Sequence, residues 1–186
     1  MLILIYTPVS VPKTGANPGR PQGKDPNIII FRMDDVEVFP TRDANNVKSV
    51  AGQNLTFKTG AHAIAIYATP DSIKRNDTGE GDMDAKGFIH NLEFAHPGDE
   101  VGFEEWKENN INERLGACSF RRGFLKAKIH GTPNEPLMFD VDEQDDKDGL
   151  KTTVKMKSVM RGPKSMLYLG TKPVLDTDDG SGGEGI

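Results

Sequence analysis

Six carboxylates stand between Asp140 and Asp148, at Asp140, Asp142, Glu143, Asp145, Asp146 and Asp148, with Gly149 after them. Oxygen donors at that density suit a hard cation such as calcium. The run lacks both the glycine at the sixth position and the closing glutamate of an EF-hand loop, so it reads as a solvated, self-repelling β-loop. A second acidic patch, Asp77, Glu80, Asp82 and Asp84, comes with Gly79 and Gly81 but without the Lys-Ser or Lys-Thr of a phosphate loop. Paired carboxylates cleave glycosides only when they face each other across roughly 5 to 10 Å, which adjacency in sequence does not supply.

The histidines, His62, His90, His96 and His130, show no His-x-x-x-His spacing, and Cys118 is the single cysteine. No cysteine-based zinc site and no intrachain disulfide follow from that set. Arg121 and Arg122 lie close enough to Cys118 to favour a thiolate, yet no base and orienting partner are evident, so the thiol reads as buried or incidental. The sequence therefore predicts no catalytic residue, no metal site and no cofactor. Arg121, Arg122, Lys126 and Lys128 form the basic cluster, interleaved with Phe120 and Phe124 in the manner of a nucleic-acid surface. A net charge of −5 and the many acidic loops favour a different partner, the acidic surface of another copy of the chain.

The elements that would hold these residues are mostly strands. The 186 residues, 35% hydrophobic, fit one domain with extended ends. Pro8, Pro12, Pro18, Pro21 and Pro26 with Gly15, Gly19 and Gly23 exclude a persistent helix or laddered strand, which predicts an arm over 1–27. Its apolar tip, Leu2, Ile3, Leu4, Ile5 and Tyr6, has the composition of a strand that adds to a neighbouring subunit. It lacks the basic flank and the length of a signal peptide, and no apolar run elsewhere is long enough for a membrane span.

A core domain is expected over 28–175. Ile28 to Phe31 reads as a strand buried on both faces, followed across Met33-Asp34-Asp35 by Val36 to Phe39 as a hairpin or bulged strand. Val47 to Val50 and Asn54 to Lys58 flank a turn at Ala51-Gly52-Gln53. His62 to Thr69 and Phe88 to His96 alternate with period two, and Pro70 to Gly87 between them reads as a long polar loop. Asp99 is the expected N-cap of a helix reaching Ile111 that packs on a sheet through Phe103 and Trp106, with Gly116 closing the connection after it. Further strands are expected at Ala117 to Arg121, Phe124 to His130, Leu137 to Val141, Thr152 to Met160 and Met166 to Leu169. The acidic, Gly-rich stretch 176–186 is expected to form a tail.

Several segments stand out as motifs: Asp34-Asp35-Val36 with Phe39-Pro40-Thr41-Arg42-Asp43, Tyr67-Ala68-Thr69-Pro70-Asp71-Ser72, and Gly81-Asp82-Met83-Asp84-Ala85-Lys86-Gly87-Phe88. His96-Pro97-Gly98, Gly131-Thr132-Pro133, Pro136-Leu137 and Tyr168-Leu169-Gly170-Thr171-Lys172-Pro173 continue the series. Together they resemble tail tube-type structural proteins from tailed phages of Bacteroidetes hosts, a likeness that covers most of 28–173. The resemblance implies a β-sandwich or barrel-like tail tube fold with one flanking helix, assembled as stacked hexameric rings around a channel in the virion. Its partners would be copies of itself and other tail or connector proteins, with DNA in transient passage and no membrane.

A channel that passes DNA quickly should repel phosphates, since basic walls would retain them. Asp77, Glu80, Asp82 and Asp84, or Asp142, Glu143, Asp145, Asp146 and Asp148, are the candidate lumen carboxylates. A capsid decoration or head-tail connector protein is the alternative assignment, since such a protein is also β-rich and armed.

Overall fold

A computed structural model describes residues 10–13, 15–16, 19–42, 53–122 and 127–176 of the chain. The described residues are mainly β, in a sandwich-like arrangement with one flanking α-helix. The fold is organised around β1 (Asn27–Arg32), which pairs antiparallel with β4 (Ile64–Tyr67) on one side and β7 (Leu115–Ser119) on the other. Its side chains alternate between two cores, Ile28 and Ile30 on one face and Ile29 and Phe31 on the other, all buried. A strand covered on both sides has no polar face to show, hence the unbroken apolar run.

β7 continues that layer into β8 (Ala127–His130), which pairs with β11 (Met166–Tyr168). The opposing layer consists of β5 (Lys74–Glu80), β6 (Gly87–Pro97), β9 (Leu137–Asp146) and β10 (Gly149–Ser158), all antiparallel. The layers join where Leu115 pairs with Leu137. Between them Leu92, Phe94, Leu137, Phe139, Val154 and Met156 meet Ile28, Ile30 and Ala117. The second core lies on the outer face of β1, β7 and β8, beneath Leu55, Ala63 and Tyr168. Tyr168 Oη accepts from the Leu55 amide (3.1 Å) and donates to the Thr171 carbonyl (2.6 Å), which satisfies the polar end of a buried ring.

Helix α1 (Val101–Asn110) closes the first core, with Phe103 and Trp106 buried and Trp106 stacked on Phe139 at 4.7 Å between centroids. Its N-cap is Glu100, not Asp99, and the Glu100 carboxylate accepts from His96 Nε2 (2.8 Å) rather than capping the helix. Lys107, which follows Trp106 directly, is buried as well. Its stem covers the sheet, its ammonium lies 5.2 Å from the Phe103 ring centre, and it pairs with Glu104 (2.7 Å) and with Glu143 of β9. Burial works to lower this lysine's pKa, but the two carboxylates outweigh it and hold the group above its ordinary value.

Three further expectations are corrected. Residues 74–80, read as loop, form β5, because Arg75 and Asp77 point inward to polar partners rather than to apolar ones. β2 (Val36–Val38) pairs with β3 (Thr56–Phe57) and makes no hairpin with β1. Gly116 lies inside β7, where a Cβ would run into the Phe31 ring and the Met33 methyl. The expected strand at 47–50 and the apolar tip at 2–6 lie outside the described residues.

Candidate functional site

At one end of the interlayer space the apolar core gives way to polar side chains. Ser119 of β7 and Lys128 and His130 of β8 face β5 and β6, whose inward residues there are Arg75, Asp77 and His90. Arg75 donates to the Ser119 carbonyl and hydroxyl (3.1 Å each), and the Ser119 hydroxyl shares a hydrogen bond with His130 Nε2 (3.0 Å). Asp77 Oδ2 accepts from Ser165 (2.7 Å) and Lys128 (3.1 Å). Burial works to raise the Asp77 carboxyl, but these two hydrogen bonds prevail and hold it below the usual carboxylate value. His90 donates from Nε2 to the Pro163 carbonyl and accepts from the Gly131 amide at Nδ1, both at 2.8 Å. The turn out of β8 requires glycine's backbone freedom at Gly131, whose φ of +80° is unfavourable for residues with a Cβ.

Ser119, His130 and Asp77 are the residue types of a nucleophile, a base and an orienting acid. Ser119 is 1% exposed and His130 0%, so a substrate has no approach to the hydroxyl. His130 Nδ1 and Asp77 Oδ1 are both buried with no hydrogen-bond partner among the described residues. Burial, then the neighbouring His90, lower the His130 pKa to about 3. The cluster is a polar clamp between layers: it ties β5, β6, β7, β8 and the 163–165 segment together through directional bonds. No spacing in the sequence announces the clamp, because its members are brought together by strand pairing.

The candidate lumen carboxylates separate into different environments. Asp77 is withdrawn from the set, since its side chain is 2% exposed and committed to Lys128 and Ser165. Glu80, Asp82 and Asp84 are exposed around the β5–β6 turn. Asp142, Glu143, Asp145, Asp146 and Asp148 lie on the β9–β10 hairpin, beside the other end of β6 and about 30 Å away at strand spacing. The acidic run is itself largely strand, so alternate carboxylates point to opposite faces: Glu143 reaches Lys107 and Asp142 reaches Lys155. Such a run does not converge on a cation, and no metal-binding group of three or more His, Cys, Asp or Glu occurs among the described residues.

The basic cluster is also rearranged. Lys128 turns inward, 124 and 126 lie outside the described residues, and Arg121 joins Arg20, Lys24, Lys74 and Arg75 around a surface cavity of about 570 Å³. The chain at 22–25 is laid against the end of β7, with Asp25 N bonded to the Phe120 carbonyl (3.1 Å) and Arg122 N to the Gly23 carbonyl (3.0 Å). That placement brings Lys24 to a site no sequence spacing would suggest. Cys118 is fully buried in the second core, where loss of solvent pushes its thiol up rather than down.

No family model, no curated protein and no solved structure matches this chain. No helix among the described residues is long and apolar enough to cross a membrane.

Proposed function

We propose that this chain is a virion structural protein that assembles into stacked rings forming the tube of a phage tail, a conduit for DNA. The observation that carries the reading is the edge of the β5 layer. Strand β5 runs seven residues, pairs with β6 on one side, and has no strand partner on the other among the described residues. β11 ends the opposite side of the sheet in the same way. Unpaired edges are templates for strand addition, and two different edges on one chain suit a head-to-tail contact that closes as a ring. The resemblance of 28–173 to tail tube-type proteins supports the same reading.

In such a ring Glu80, Asp82 and Asp84, exposed together at one end of the sheet, are the carboxylates suited to a phosphate-repelling channel. Negative-stain electron microscopy of the purified full-length protein, across concentration and salt, tests the proposal. Rings or stacked hollow tubes are expected. Dispersed particles that bind only to capsids or connectors would replace the tube with a decoration or adaptor role.

A further inference from the structure

The cavity beside β5 gathers positive charge that the described chain does not neutralise. Lys74 is paired with Glu93 (2.8 Å), but Arg20, Lys24, Arg75 and Arg121 form no ion pair with a carboxylate among the described residues. The cations are held close by the fold. Lys24 and Arg121 face each other in a β-bridge, the Lys24 ammonium bonds the Ile73 carbonyl, Arg121 bonds Gln22 (2.6 Å), and Arg75 is fixed on Ser119. Burial lowers the pKa of both Lys24 and Arg75; Arg75 and Arg121 lower Lys24 further and Arg121 lowers Arg75, while Asp71 works the other way on Lys24. Preorganised, partly desolvated cations of this kind favour a carboxylate ligand over water.

A matching anion exists in the same chain but cannot reach the cavity in the same copy. Strand β10 pairs with β6 as far as Lys151 and its Leu150 carbonyl still accepts from the Gly98 amide (3.1 Å), while residues 142–149 leading into and out of the β9–β10 turn are all exposed. At that turn Asp145 and Asp148 form no ion pair among the described residues, unlike Asp142 and Glu143. Glu93 pairs with Lys74 on one side and Lys155 on the other, which sets the cavity level with Lys155. Asp148 is about seven residues further along β10, roughly 20 Å away.

We infer that the Arg20, Lys24, Arg75 and Arg121 cavity receives the acidic β9–β10 turn of a second copy, through Asp145 and Asp148. The contact uses different surfaces on the two copies, so every copy offers one cavity and one turn. This inference rests on the self-assembly reading and names one of its contacts.

The test uses two full-length variants, Arg121→Glu and the double variant Asp145→Lys with Asp148→Lys, followed by sedimentation velocity at low and high salt. The turn residues are exposed, so their variant retains its fold, and circular dichroism checks both. Each variant alone should associate at least about tenfold more weakly than the native chain, a loss of about 1.4 kcal/mol or more. An equimolar mixture should associate at least about tenfold more strongly than either variant alone, and mainly as a dimer, because each mixed pair retains one intact cavity and one intact turn. That dimer should weaken with salt as the Debye length shortens.

A mixture that stays monomeric, or Arg121→Glu protein that assembles like the native chain, overturns the inference. Native-strength rings from Arg121→Glu would leave the tube proposal standing. Capped dimers from the mixture, with open chains but no rings from the native protein, would uphold the contact and remove the tube. A native chain that does not associate at all overturns both.

Discussion

Replacing His130 with glutamine should flatten the acid dependence of folding between pH 7 and pH 4. In the folded chain the imidazole is 0% exposed, shares a hydrogen bond with the Ser119 hydroxyl at Nε2, and lies among Arg75, Lys128 and His90, with Asp77 acting in the opposite sense. A second ring proton would place a charge in a site closed to solvent and beside those cations. The folded pKa is accordingly about 3, against 6.5 for the free side chain.

A base whose folded pKa is depressed binds more protons unfolded than folded below pH 6.5, so stability falls as pH drops through the window from 6.5 to about 3. The slope is about 1.4 kcal/mol per pH unit, so a descent from pH 7 to pH 4 should remove about 3 kcal/mol through this one residue. Asp77 also has a depressed pKa, but its contribution begins to fade only at the acid end of the range, near the ordinary carboxylate value of 3.8, and the residue is present in both proteins.

Urea unfolding followed by Trp106 fluorescence at pH 7, 6, 5 and 4, at one protein concentration, gives the measurement. Glutamine keeps an acceptor for Ser119 and does not titrate. The native protein should lose about 3 kcal/mol more than the variant across the series. Parallel losses in the two proteins would refute the reasoning, because they would mean that protonating His130 costs no more folded than unfolded.

Two other outcomes follow from the cores. Trp106→Ala should cost about 3–5 kcal/mol in chemical denaturation, because the ring is buried between Phe103 and Phe139 and leaves a cavity that the β9 and α1 backbones cannot close. A loss near that of an exposed substitution at Val101, which is 72% exposed, would show that the helix does not close the core. Cys118, with its thiol pushed up by burial, should react with a thiol-specific reagent at neutral pH no faster than the protein unfolds. Rapid labelling of the native protein would contradict that placement.

Local pattern was enough where a segment buries its own apolar side chains. The run Ile28 to Phe31 predicted a strand covered on both faces, the alternation of Phe88 to His96 predicted β6, and Phe103 with Trp106 predicted the buried side of α1. In each case the hydrophobic period is written in the sequence because the core selects it. The same logic failed at β5. Its inward residues are Arg75 and Asp77, and a strand whose buried face is polar looks like a loop until its partners are known.

The sequence by itself determined a mainly β chain with one helix, a proline-rich N-terminal segment and two acidic stretches. Only the tertiary structure decided what the charged residues do. Asp77 and Lys128, read as an exposed carboxylate and an outward cation, meet inside the protein, while Lys24, Arg75 and Arg121 converge from three separate segments. A charged side chain is stabilised by whichever opposite charge or dipole it reaches in space. Spacing along the chain fixes those partners only within a strand or helix; across layers they are set by strand register and by the path of the arm over β7.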